Sequence, residues 1–403
     1  MFSDRTNWRL AQNRFSQAVE EVRTSGAKIL DLTVSNPTRI GLHYDSTSIL
    51  SALNSPRTLD YDPQSKGLLS GREAVAAYYR DDHHVRDLSP EHIVLTTSTS
   101  EGYSYVFRLL CNAGDELLVP KPSYPLFEFL ADLQDVKLVP YTLIYDHGWQ
   151  IDFPSLEKAR TQRTRGVVVV HPNNPTGSFV KQSEAELLNK FCRAHGLAII
   201  ADEVFLDYGM RHADVERALL PAAVHDSANG TFAANQGALT FTLSGLSKIS
   251  ALPQMKVSWV VTSGPSGEAG PARDRLEVIA DTYLSMNAPV QWALPALLNE
   301  KKNIQKQLRE RVLENLAELD RQIAAQSACQ RLDIEGGWYA VVRVPVTQSD
   351  EDLAIELMRQ ESVMVHPGHF YDFPRDGYLV LSLITSEQEF SRGIRGVLRH
   401  LNR

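Results

Sequence analysis

The chain has 403 residues, 43% of them hydrophobic and 22% charged, with 41 Lys and Arg against 49 Asp and Glu for a formal charge of −8. Those figures exclude low-complexity and globally disordered chains and fit one large or two medium packed domains. The acidic balance and the lack of a Lys/Arg run argue against a nucleic-acid partner, and no window reaches the roughly 18 apolar residues of a membrane span. Cys111, Cys192 and Cys329 are too scattered for a disulfide framework or a metal site, so a soluble, cytoplasmic protein without metal is expected.

In chain order, residues 7–25 have the spacing of an amphipathic helix stopped by Gly26, and 28–34 read as an extended run. Residues 93–97 (IVLTT) precede a helical stretch at 103–111. An apolar run at 117–120, helical spacing at 126–133 and a second run at 136–140 follow. Residues 166–170 (GVVVV) lead through a Pro/Asn/Gly loop into a helix at 183–195, and 197–201 (LAIIA) and 239–243 (LTFTL) come next. Short, continuously apolar runs alternating with helices predict a mainly parallel sheet buried on both faces, an α/β fold. A long helical region at 290–325 should kink or break near Pro295. The tail reads as α+β: extended at 338–344, 363–365 and 378–383, helical at 350–360 and at the end. The expected organisation is a large α/β domain over 46–284 and a smaller α+β domain built from 1–45 and 285–403.

Ligands of open α/β sheets bind at the carboxyl ends of the strands. After 93–97 comes Ser98-Thr99-Ser100-Glu101-Gly102, a hydroxyl-rich turn that suits a phosphate or an ordinary helix cap. After GVVVV comes His171-Pro-Asn-Asn-Pro-Thr-Gly177, in which Asn173 and Asn174 offer amides or simply hold a loop. After LAIIA stand Asp202 and Glu203, and after LTFTL the run Ser244-Gly-Leu-Ser-Lys248, with Lys256 eight residues on. An acid can be a surface ion pair and a lysine can be solvated. Together, though, the strand ends deliver a phosphate-type turn, an amide, an acid and an amine.

That ordered set resembles the fold-type I, pyridoxal-phosphate-dependent aminotransferases of class I/II, over about residues 5–400. HPNNPTG is similar to the family's Asn-Pro-x-Asn-Pro-Thr-Gly loop, ADEVF to its aspartate strand and SGLSKISALPQMK to its lysine segment. Tyr61-x-Pro-x-x-x-Gly67, Ala113-Gly-Asp-Glu-Leu-Leu-Val-Pro, Pro122-Ser-Tyr-Pro, Gly336-Gly-Trp-Tyr and Val365-His-Pro-Gly-His-Phe resemble further family blocks. The resemblance implies a seven-stranded-type sheet flanked by helices in the large domain, and a pyridoxal 5′-phosphate cofactor. Lys248 would hold it as a Schiff base, Asp202 would face the pyridine nitrogen, Asn174 the 3′-oxygen and Tyr124 the ring face. Ser98, Thr99, Ser100, Ser247 and Lys256 would hold the phosphate. Tyr61 would reach across from a second subunit of a homodimer. The implied reaction moves an amino group from an amino acid to a 2-oxo acid. A carbon–sulfur β-lyase uses the same lysine and aspartate and is the alternative; a non-catalytic binding module would not need Lys248.

Three departures qualify the resemblance. Phe205 stands where a tyrosine commonly donates to the 3′-oxygen, so the Schiff base should titrate at higher pH. Lys256 replaces an arginine at the phosphate, losing its bidentate fork, and Gly245 takes a place often held by Ser or Thr, so Ser244 or Ser247 should substitute. Val380 occupies the place of the arginine that pairs with the substrate carboxylate, and a valine cannot do so. Arg39 is the first candidate to replace it; Arg375 and His369 are weaker ones. Trp338, Tyr339, Phe370 and Tyr371 fit either a bulky-substrate wall or core packing.

Overall fold

The computed structural model describes all residues except 9, 126, 211–229, 285, 327 and 403. Its strands are, in chain order, β1 (Leu30–Asp31), β2 (Ile93–Thr96), β3 (Glu116–Lys121), β4 (Lys137–Tyr145), β5 (Trp149–Ile151), β6 (Thr164–Val170) and β7 (Ala198–Asp202). Then come β8 (Thr240–Gly245), β9 (Ser258–Ser263), β10 (Gln330–Arg331), β11 (Tyr339–Arg343), β12 (Val363–Met364), β13 (His366–Pro367) and β14 (Tyr378–Ser382).

Eight strands form one sheet in the order β2-β9-β8-β7-β6-β3-β4-β5. Its centre, β8-β7-β6-β3-β4, is parallel throughout. The antiparallel β9 lies between β2 and β8, so those two run the same way. As a result β2, β6, β7 and β8 all end on one edge. Continuous apolar sequence is explained by coverage on both faces: Val167 and Val169 of β6 enter one core cluster, while Val168 and Val170 enter another. The sheet thus has one strand more than the seven-stranded type expected. The extra strand is β5, folded back on β4 through a turn at Asp146-His147-Gly148, where His147 (φ 49°) and Gly148 (φ 132°) both take positive φ.

The tail forms a second, antiparallel sheet, β10-β11-β14-β13. The N-terminal β1 pairs in parallel with β12, which ties the first forty residues to this late part of the chain. Two expectations need correction. The first long helix is Arg14–Thr24, not 7–25, because Asn13 caps it by accepting from Ser16 N at 2.7 Å. The region 290–325 divides into Ala288–Asn299 and Lys301–Ala324, broken at Glu300 and not at Pro295. Pro295 removes one backbone donor, but the buried Ala293, Leu294, Leu297 and Leu298 hold that helix against the second core. Among the described residues, no helix is long and apolar enough to cross a membrane.

Candidate active site

Lys248 lies in the short helix Leu246–Ile249 that follows β8. The residue is half-buried; its Nζ donates to Ser35 O at 3.5 Å and stands 4.7 Å from the centre of the Trp338 ring and 5.4 Å from that of Phe205. Burial pulls the ammonium down to about pKa 8, against the attraction of Asp202. A neutral amine is therefore within reach near neutral pH, as a nucleophile requires.

Asp202 ends β7 and is 9% exposed. Burial raises its carboxyl to about pKa 6, resisted by Val204 N–H on Oδ1 at 3.1 Å, by the Tyr103 hydroxyl on Oδ2 at 2.9 Å and by Lys248. Lys248 and Asp202 thus feel each other across adjacent strand ends. Tyr124, three residues past the end of β3 at Lys121, is 43% exposed, and its phenol is raised by burial and then by Asp202.

The amide of Asn174, after β6, makes no side-chain hydrogen bond among the described residues, and its buried Oδ1 has no partner. Asn173 is different: its Oδ1 accepts from Thr176 N and Oγ1, which holds the loop. Of the two asparagines, only Asn174 has its oxygen unspent.

Ser98 caps the helix Thr99–Leu110 by accepting from Glu101 N, so Thr99 and Ser100 form its first turn, where backbone N–H groups point outward unpaired. That helix lies close on the sheet: a Cβ at Gly102 would meet Val260 at 2.9 Å and Leu243 at 3.0 Å. Gly245 also has a steric reason to be glycine, since a Cβ there would sit 2.3 Å from Ser258 Oγ and 2.8 Å from Val257 O. Ser244 spends its hydroxyl on Glu203 O at 3.3 Å, which leaves the half-buried Ser247 as the hydroxyl able to substitute. Lys256, exposed, is held at φ 55° just before β9 enters its pairing with β8.

The substrate-side expectations fare differently. Val380 is wholly buried in β14, opposite Val341 and His366. Two residues on, Ser382 Oγ donates to Val34 O at 2.5 Å, so this strand does border the segment whose Ser35 carbonyl meets Lys248. Arg39 ends the turn Pro37–Arg39 four residues beyond Ser35; it is exposed and makes no ion pair among the described residues. Arg375 is turned to the Tyr378 hydroxyl at 3.4 Å, and His369 is exposed against the Phe370 ring. Tyr61 is 80% exposed and stacks on no ring among the described residues.

Sequence reasoning missed Tyr103, and it left Trp338, Tyr339 and Tyr371 undecided. Trp338 is fully buried, with Phe205 and Tyr208 edge-on to it at 5.2 and 5.1 Å, and forms the floor under Lys248. Tyr371 O accepts from Ser123 N at 2.9 Å, so the tail reaches the Tyr124 turn directly.

The sequence model for aminotransferase class I and II matches residues 27–391. A glutamate-pyruvate aminotransferase of Escherichia coli K12 is 30% identical over 285 residues, 71% of this chain and 67% of that one. An S-alkyl-thiohydroximate lyase of Arabidopsis thaliana is 26% identical over 339 residues, 80% of this chain and 68% of that one. Among solved structures, an alanine aminotransferase of Pyrococcus furiosus superposes with a TM-score of 0.86 over 100% of both chains at 19% identity, a likeness of fold.

Proposed function

This chain belongs to the aminotransferase class I and II family and is an enzyme of that kind; on that premise we propose that it works with pyridoxal 5′-phosphate carried by Lys248, and that the strand-end edge is where the amino group changes hands. The observation that carries this is the placement of Lys248, in the turn of helix after β8, beside the buried Asp202 that ends the neighbouring β7, where burial weakens the lysine's ammonium to about pKa 8 and its charge favours the ionised acid.

The residues present fit such a cofactor. Ser98, Thr99, Ser100, Ser247 and Lys256 supply hydroxyls, helix-terminal N–H groups and a cation for its phosphate. The unspent Asn174 amide would hold the ring hydroxyl, Tyr124 would cover the ring face and Asp202 would accept from the pyridine N–H. When bound, the group supplies an electron sink for the charge left as the substrate's Cα–H bond breaks. Lys248 is the base for that proton, and its position over the Trp338 ring limits the directions from which Nζ can act. For the carboxylate of the amino acid we assign Arg39, the unpaired cation nearest in sequence to Ser35, in place of the missing arginine at Val380.

Tyr61, with its exposed neighbour Leu59 at 88%, supports a homodimer in which a second copy covers this loop. Three free cysteines agree with a reducing, cytoplasmic setting. The test is borohydride reduction of the cofactor-loaded protein followed by peptide mapping: a pyridoxyl group on Lys248 is expected, and its absence overturns the assignment. Alanine with 2-oxoglutarate, and glutamate with pyruvate, are the pairs to try first. The likeness to the plant lyase supports a carbon–sulfur β-lyase as second reading; pyruvate released from L-cystathionine without any added oxo acid would establish it.

A further inference from the structure

We propose that Tyr103 is a positioning residue for Asp202, holding its carboxylate ionised and fixed in orientation toward the cofactor's ring nitrogen; this rests on the reading of Lys248 and Asp202 given above. The geometry is specific. Tyr103 is 2% exposed and its hydroxyl lies 2.9 Å from Oδ2, while Val204 N–H occupies Oδ1 at 3.1 Å. With a donor on each oxygen, the carboxylate plane is pinned. Rotation about the Cβ–Cγ bond would break both bonds in a place where water cannot replace them.

The tyrosine is itself held. Its ring meets Phe107 and Phe127 edge-on, at 5.7 and 5.2 Å. The helix carrying it is seated on the sheet by the absent side chain at Gly102. That helix is also the one whose first turn is Ser98-Thr99-Ser100, so one rigid element serves the phosphate end of the site and the acid at the other end. Phe127 lies three residues past Tyr124, so the same ring braces the segment that covers the site.

The chemistry explains why such a donor is wanted. A buried carboxyl tends to take up a proton, and a protonated Asp202 could not accept from a pyridine N–H. A phenol whose own ionisation is pushed well up, by burial and then by Asp202, remains a donor at every working pH. The groups that face Asp202 are Tyr103 on its helix, Tyr124 beyond β3, Lys248 beyond β8 and Glu203 beside it on the chain. Of these, only Tyr103 and Lys248 favour the ionised form, beside the fixed backbone N–H of Val204, and Lys248 would be taken up by the cofactor.

Tyr103→Phe removes the hydroxyl and keeps the ring. In the cofactor-free protein, 13C labelling at aspartate should show Asp202 titrating about one pH unit higher in the variant. In the loaded protein, the pyridoxal phosphate Kd should rise about tenfold and the acid limb of the kcat profile should move up in pH, with amino-acid KM unchanged. On an Asp202→Asn background the same substitution should leave the Kd where Asp202→Asn put it. Unchanged titration and Kd, or a loss of affinity that simply adds to that of Asp202→Asn, would overturn the proposal. If instead the unmodified protein takes no pyridoxyl label at Lys248, the reading of the site fails, while the titration of cofactor-free Asp202 still judges the role of Tyr103.

Discussion

The edge of the eight-stranded sheet and the flank formed by β14 and the segment from Val34 to Arg39 face the same lysine, yet they were built under different constraints. At the sheet edge four of the candidate residues are delivered by the ends of strands: Ser98 past β2, Asn174 past β6, Asp202 on β7, Lys248 past β8. At the flank the expected cation is replaced by Val380, buried without exposure, and the cation on offer is an exposed arginine on a turn. On the proposed assignment, the contrast teaches that the cofactor-side groups are anchored in the rigid sheet. On the same assignment the substrate side falls to short irregular segments, which can change without disturbing the core.

The strongest way to break this comparison is Arg39→Ala. If Arg39 pairs with the substrate carboxylate in the closed site, the variant should lose about 100- to 1,000-fold in kcat/KM, mostly through KM, the range expected when one partner of a desolvated charge pair is removed. Cofactor absorbance and the pyridoxyl label at Lys248 should be intact. An unchanged KM would remove Arg39 and turn attention to the phenols of Tyr339 and Tyr371 beside the Tyr124 turn.

How much of this was legible follows from where the information sits. The strand-end residues could be read because each belongs to a short motif with its own turn chemistry next to an apolar run. The steric need for Gly245 could not, because the atoms it avoids, Ser258 Oγ and Val257 O, lie on the neighbouring strand. Tyr103 was invisible for the same reason: it is 99 residues from Asp202, and inside a helix its hydroxyl looks like any core phenol. Trp338 was seen, but only folding brings this residue, just ahead of β11, beneath Lys248. The break at Glu300 was misplaced to Pro295, where buried leucines outweighed a lost backbone bond. The eighth strand was missed because three residues, Trp149–Ile151, are too few for a periodic signal.

A second, smaller effect sharpens the account of the sheet edge. Asp202 binds its proton more tightly folded, at about pKa 6, than unfolded, near 3.8. The folded state therefore holds more protons between those values, and stability must fall as pH rises from about 4 to 6. The difference of about two units corresponds to about 3 kcal/mol, absent below pH 4 and fully felt above pH 6. Glu203, raised to about pKa 7, contributes in the same direction, so the measurement must be a difference. Cofactor-free Asp202→Asn should gain on the unmodified protein in thermal stability across pH 4 to 6 and keep the gain above it. Parallel stability curves would mean that the carboxylate is better solvated than its burial implies.

The smallest effect probes the sheet edge at Phe205, where the sequence departs from the pattern it resembles. Phe205 is 3% exposed, packed edge-on against Trp338 and 5.4 Å from Lys248 Nζ, so it offers that nitrogen a ring face and no hydrogen bond. A hydroxyl placed there would donate toward the ring oxygen of the bound cofactor and stabilise its anionic form. The proton shared with Lys248 would then leave more easily. Phe205→Tyr should accordingly lower the pH at which the visible band of the loaded protein titrates, by about one unit, equivalent to about 1.4 kcal/mol. A titration at the same or higher pH would mean that the Trp338 floor, and not the missing hydroxyl, sets the proton affinity of Lys248, and Trp338→Phe would then be the substitution that moves it.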